Sequence, residues 1–125
     1  MRVAFIAAEC EPWAKTGGLG DVVDALARAL GRIPEGPDLQ VDVYLPRYRL
    51  VPVPEDRVLG RGNVTVFDPR GAGEPLEVGV IDVAADGYRL RLIDHPPAFD
   101  RPAIYGEVGD YPDNAWRFNL LCLAA

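Results

Sequence analysis

Lysine, histidine, methionine and cysteine are scarce in this 125-residue chain. The two cysteines, Cys10 and Cys122, are too few for a disulfide scaffold and too far apart for a metal knuckle. Both read as reduced packing residues of a cytoplasmic protein. Long apolar runs are missing as well: the longest, Val3 to Ala8 and Leu120 to Ala125, have six residues each. A signal peptide needs an apolar core of about 7–15 residues and a membrane helix about 20, so neither secretion nor membrane insertion is expected. Positive charge is in deficit. The formal net charge is −6 and the pI near 4.7, which leaves no basic footprint for nucleic acid or for an anionic membrane. Hydrophobic residues at 49% and charged residues at 26% are the ordinary globular mix, so a disordered or fibrous chain is excluded. The length suits one domain, residues 1–125.

Of the 13 basic residues, all but Lys15 are arginine. A GC-rich genome explains the bias but not the exception. Lysine is a compact ammonium on a flexible stem, whereas arginine is a wide planar fork. A site crowded against a phosphate accepts the first and rejects the second.

The chain opens on a near-continuous apolar run, Arg2 to Ala8, as expected for a parallel strand covered on both faces. A turn region, Glu9 to Gly20, carries Pro12 and glycines 17, 18 and 20. A helical period follows: Val22, Val23, Leu26, Ala29, Leu30 and Ile33 make one apolar stripe, with Asp21 in the first turn and Pro34 with Gly36 as the stop. Val41 to Leu45 is the next strand, closed by Pro46. Strand, turn, helix and strand make a βαβ unit, so the two strands should be parallel neighbours. Arg47 to Asn63 reads as a long connection. Strand candidates follow at Val64–Asp68, Leu76–Val83 and Tyr88–Asp94, and Ala85-Asp86-Gly87 predicts a hairpin joining the last two. The alternation from Tyr88 to Leu92 predicts one solvated face. His95 to Tyr111 reads as a proline-rich loop. A final helix starts at Pro112 with Trp116, Leu120, Leu121 and Leu123 on its apolar side. It reaches Ala125 without a capping residue, which implies an amino-terminal piece of something larger. The fold expected is α/β: a Rossmann-like, open, largely parallel sheet with an added hairpin.

The loop Lys15-Thr16-Gly17-Gly18-Leu19-Gly20-Asp21 joins the carboxyl end of the first strand to the amino end of the first helix, where open α/β sheets bind ligands. Glycines let the backbone approach an anion, and the N–H groups of a helix start point at it. The spacing matches neither G-x-G-x-x-G nor the P-loop pattern. Two readings stand: an anion site, or a turn whose glycines only let strand and helix pack. Glu9, Glu11 and Asp21 flank the loop, where a carboxylate reads a sugar hydroxyl, orients the lysine or serves the helix dipole. His95 lacks both a nucleophile and metal partners nearby and reads as an ordinary loop histidine. Asp113 and Asn114 read as caps of the last helix.

The stretch from Ala8 to Val22, AECEPWAKTGGLGDV, resembles the start of the bacterial glycogen synthases and plant starch synthases, whose signature is a lysine, one variable residue, then Gly-Gly-Leu. The likeness continues through Leu45-Pro46-Arg47-Tyr48, Ile93-Asp94-His95-Pro96, Asp100-Arg101-Pro102 with Tyr105-Gly106, and Tyr111 to Phe118, while residues 50–87 add little. The resemblance implies the amino-terminal portion of a two-domain (GT-B) glycosyltransferase that moves glucose from ADP-glucose to the non-reducing end of an α-1,4-glucan with retention. It implies no metal or cofactor. Lys15, Gly17, Gly18 and Asp21 would then face the donor and Glu9 the sugar and acceptor side. The catalytic residues would lie outside this fragment, leaving it inactive alone. The alternative is a stand-alone α/β module that binds a phosphorylated small molecule without chemistry, or a purely structural piece.

Overall fold

A computed structural model describes residues 1–34, 39–71 and 73–125. The elements run β1 (Arg2–Ile6), α1 (Gly18–Gly31), β2 (Gln40–Pro46), a 3₁₀ turn (Glu55–Arg57), β3 (Val58–Phe67), β4 (Pro75–Ala84), β5 (Arg89–Asp94), α2 (Pro96–Phe99) and α3 (Asn114–Ala124). The five strands form one sheet in the order β1-β2-β5-β4-β3. β1–β2 and β2–β5 pair parallel, whereas β5–β4 and β4–β3 pair antiparallel. The expected βαβ unit is therefore present, and the predicted hairpin joins β4 to β5. That turn closes through Ala85 N–H donating to Tyr88 O (3.1 Å), with Gly87 at φ +87°, a conformation that glycine adopts without strain.

Several expectations change once the elements pack. β1 is half exposed rather than covered on both faces, because it is the sheet edge and Ile6 keeps 49% of its surface. The connection after β2 ends earlier than its composition suggests. Val58 to Asn63 joins β3, since pairing with β4 supplies the hydrogen bonds that its glycines and arginine could not specify locally. The proline-rich segment contains the one-turn α2, whose first residue Pro96 lacks an N–H that the helix could not have used.

The helices turn unexpected faces to the core. α1 buries Gly20, Val23, Asp24 and Ala27, whereas Val22, Leu26 and Ile33 of the predicted stripe are exposed. The helix ends at Gly31, and the predicted stop at Gly36 lies outside the described residues. α3 buries Arg117, Leu120, Leu121 and Ala124 and leaves Leu123 at 51% exposure. Neither Asp113 nor Asn114 caps α3 with its side chain: Asp113 pairs with Arg101 (2.5 Å), and Asn114 donates to Tyr105 O (2.9 Å). The alternation in β5 holds. Leu90 and Leu92 are fully buried, while Arg89 and Arg91 reach Asp42 and Asp82 at 2.8 Å across the other face.

Candidate functional site

The loop after β1 is folded on itself. Cys10 and Ala14 exchange N–H···O bonds (2.8 and 2.9 Å), and Glu11 N–H donates to Gly20 O (3.1 Å), which binds the turn to the start of α1. Beneath it, Trp13 Nε1–H donates to the Tyr88 hydroxyl, which donates to Asp24 of α1, both at 3.1 Å. Burial pushes the Cys10 thiol up to about 11. The expected reading as a packing residue holds for Cys10 but not for Cys122, which α3 leaves exposed.

Glu9 is 4% exposed and has a definite position in the structure. Its Oε1 accepts from the Thr16 amide (2.5 Å), the Thr16 hydroxyl (3.0 Å) and the Gly17 amide (3.1 Å), while Oε2 accepts from the Tyr105 hydroxyl (2.7 Å). Burial alone would raise its pKa, but these donors together outweigh burial and hold the carboxyl below its ordinary value. Oε1 is thus fully engaged by the loop, and Oε2 has one lone pair left for a hydroxyl.

Lys15 Nζ lies 2.5 Å from Asp21 Oδ1 and 3.9 Å from Glu11 Oε2, in an exposed cluster. The hydrogen bond to Asp21 raises the lysine pKa, and the same bond lowers that of Asp21. A hydrogen bond to Asp21 raises the pKa of Glu11. Lys15 is consequently protonated and already partnered by carboxylates that an incoming anion must displace.

The glycines divide into two kinds. A Cβ on Gly20 would meet the Lys15 stem at 3.2 Å and Ala14 O at 3.4 Å, so Gly20 is a packing glycine. A Cβ on Gly17 or Gly18 would meet nothing within 4 Å among the described residues. Gly17 sits at φ −161°, ordinary extended backbone. Packing therefore accounts for Gly20 but not for Gly17 or Gly18. Beyond them, Gly18 and Leu19 open α1 with amides that have no intrahelical acceptor.

Lys15, Gly17, Gly18, Asp21 and Glu9 are thus brought together around one helix start. His95 is not among them; it stands edge-on to Trp116 with ring centroids 6.2 Å apart, and burial lowers its pKa. A cavity of about 470 Å³ opens beside the loop, lined in part by Trp13, Lys15, Thr16, Tyr48 and Ile104. Tyr105, Asp24 and Tyr88 support the site and were not assigned from sequence. Tyr105 lies in a segment of family likeness, but nothing local signals that its hydroxyl meets Glu9. Among the described residues no cluster of three or more His, Cys, Asp or Glu could hold a metal, and no helix is long and apolar enough to cross a membrane.

Known proteins match the chain along nearly its whole length. The starch synthase catalytic domain family matches residues 2–125. A glycogen synthase of Koribacter versatilis is 40% identical over 126 residues, covering 99% of this chain and 24% of that protein. One from Roseobacter denitrificans is 40% identical over 131 residues, covering 100% and 25%. The catalytic domain of starch synthase IV from Arabidopsis thaliana, solved with ADP and acarbose, superposes with a TM-score of 0.70 at 29% identity, covering 98% of this chain and 23% of that one. The chain thus spans about a quarter of the length of these relatives. With the family match running over residues 2–125 and relatives 40% identical across the whole chain, the chain belongs to the starch synthase catalytic domain family.

Proposed function

We propose that this chain forms one wall of the cleft of a glycogen or starch synthase, a GT-B enzyme of the cytoplasm. The enzyme transfers glucose from ADP-glucose to the non-reducing end of an α-1,4-glucan with retention. The observation that carries this reading is the openness at Gly17 and Gly18: among the described residues no atom needs them small, but a ligand approaching the backbone would. A diphosphate seated there meets the amides of Gly18 and Leu19, the positive end of α1, and the Lys15 ammonium once it turns from Asp21. Negative charge grows on that diphosphate as the glycosidic bond to it breaks, so cations and amides placed in advance favour the transition state over the ground state. Asp21, released from the lysine, stands on the donor side, and Glu9 faces the sugar and acceptor through its free lone pair. The ADP and acarbose bound to the Arabidopsis starch synthase are the two chemistries this wall would face.

The test is steady-state kinetics of a complete enzyme that carries this chain. Lys15→Gln keeps the reach and removes the charge; Lys15→Arg keeps the charge and puts a wider, planar head where the ammonium meets Asp21. Both should raise the KM for ADP-glucose about tenfold or more and leave that for glucan unchanged, since displacement near the reacting bond can cost about 100-fold. Wild-type donor kinetics in Lys15→Gln would defeat the reading.

A further inference from the structure

Arg117 is fully buried, and its recorded bonds go to neutral oxygens: Nε–H donates to Ala98 O (2.6 Å), Nη1–H to Ile104 O (2.8 Å) and to Asn114 Oδ1 (2.7 Å). Its Nη2 is buried without an acceptor among the described residues, and burial lowers its pKa. The rings of Phe99, Tyr111 and Phe118 surround it at 5.0–5.9 Å. For stability alone, an apolar side chain of similar volume would serve as well or better. A guanidinium instead brings a rigid fork of donors, and here the fork ties α3 to α2 at Ala98 and to the segment between α2 and α3 at Ile104.

The tied segment leads to the loop at the start of α1. Asn114, held by Arg117, donates to Tyr105 O (2.9 Å), which the Tyr111 amide also reaches (2.8 Å). The Tyr105 main chain is thereby fixed, and its hydroxyl meets Glu9 Oε2 at 2.7 Å, while Glu9 Oε1 holds Thr16 and Gly17. We propose that Arg117, Asn114 and Tyr105 are positioning residues: a relay from α3 that sets Glu9 and, through it, the shape of the Lys15–Gly18 loop toward the donor diphosphate. The relay rests on the donor-site reading above. It explains why the Glu9 carboxylate is buried and turned onto its own loop. Without the Tyr105 hydroxyl, Glu9 would be held through Oε1 alone, by the very loop it anchors, and carboxylate and loop together would loosen beside the Gly18 and Leu19 amides.

Tyr105→Phe removes the hydroxyl and keeps the ring against Phe118. Amide hydrogen exchange in the chain should then quicken about tenfold at Thr16 and Gly17 while β2 and β5 stay at their wild-type rates. Asn114→Ala should do the same from the far end of the relay. In the complete enzyme, Tyr105→Phe should raise the KM for ADP-glucose about three- to tenfold with the glucan KM unchanged. In a Glu9→Gln background the same substitution should add little, because the effect passes through the Glu9 carboxylate. Unchanged exchange at Thr16 and Gly17 overturns the relay, whatever the kinetics. Faster exchange with an unmoved donor KM also overturns it, provided Lys15→Gln in the same assay raises that KM. A silent Lys15→Gln removes the donor-site reading, and the positioning role falls with it.

Discussion

The end of α1 offers a clean steric test. A Cβ on Gly31 would stand 1.6 Å from Gly87 O, 2.5 Å from Gly87 C and 3.0 Å from Gly87 Cα. The obstacle is main chain, not the flexible tip of a side chain. Gly87 cannot yield easily, because its own Cβ position faces Arg28 O at 3.0 Å and its φ of +87° belongs to the turn between β4 and β5. Arg28 and Arg32 both bind Asp86 and draw the same surfaces together. Ordinary contact begins at 3.4 Å, so Gly31→Ala must drive helix and hairpin apart by nearly 2 Å or unwind the last residues of α1. Overpacking of this kind costs about 1–3 kcal/mol. Alanine's helix preference returns at most about 1 kcal/mol. An overlap this deep with main chain belongs at the top of that range, so a net loss of about 2 kcal/mol should lower the melting temperature by about 8 °C. Gly17→Ala, which meets nothing, is the control and should melt within about 2 °C of wild type, as surface substitutions do. Far-UV circular dichroism melts of the three proteins decide it. A Gly31→Ala chain as stable as wild type, or more so, would refute the close approach.

The two thiols should separate cleanly: Cys122 is exposed, whereas Cys10 is buried with its pKa pushed up to about 11. An aromatic disulfide reagent at pH 8 should titrate one thiol rapidly and the second only in denaturant, and two fast equivalents would contradict the buried position of Cys10. Acid should destabilise the chain in two stages. Burial lowers the His95 pKa below its ordinary 6.5, so its contribution, present above that pH, is lost as pH falls through it. Burial raises the Asp42 pKa, but Arg89 and Arg2 outweigh it, and the donors to Glu9 do likewise; both carboxyls sit below their ordinary values of 3.8 and 4.5. Their stabilisation is complete above those values and fades as pH drops beneath them. Urea midpoints should therefore decline from pH 7.5 to 5.5 and again to 3.5; a flat profile would refute the ledger of charges. Finally, the 125-residue chain alone should incorporate no labelled glucose from ADP-glucose into glycogen, because one wall cannot position donor and acceptor together. Robust incorporation would show that the chemistry lies within it.

Local order was legible in the residues themselves. An apolar run, a glycine turn, a helical period and a second run place β1, α1 and β2 because each signal acts over a few residues, and Ala85-Asp86-Gly87 sets its hairpin for the same reason. The lysine–glycine loop was legible as a candidate site, since residue types at a strand-to-helix junction already carry the chemistry of anion binding. Tertiary structure alone decided what depended on partners far away in the chain. β3 reaches back to Val58 only because β4 supplies its hydrogen bonds. α1 is apolar on more than one side, so its period could not say that Val23 and Ala27 face the core while Val22 and Leu26 face outward. No local signal marks Arg117 as buried, with its fork on carbonyls of α2 and of the segment after it. Glu9 and Tyr105, 96 positions apart, meet only because α3 holds the segment between α2 and α3 against the loop. Periodicity and turn chemistry act locally. Which carboxylate meets which hydroxyl is settled only by the packing of whole elements.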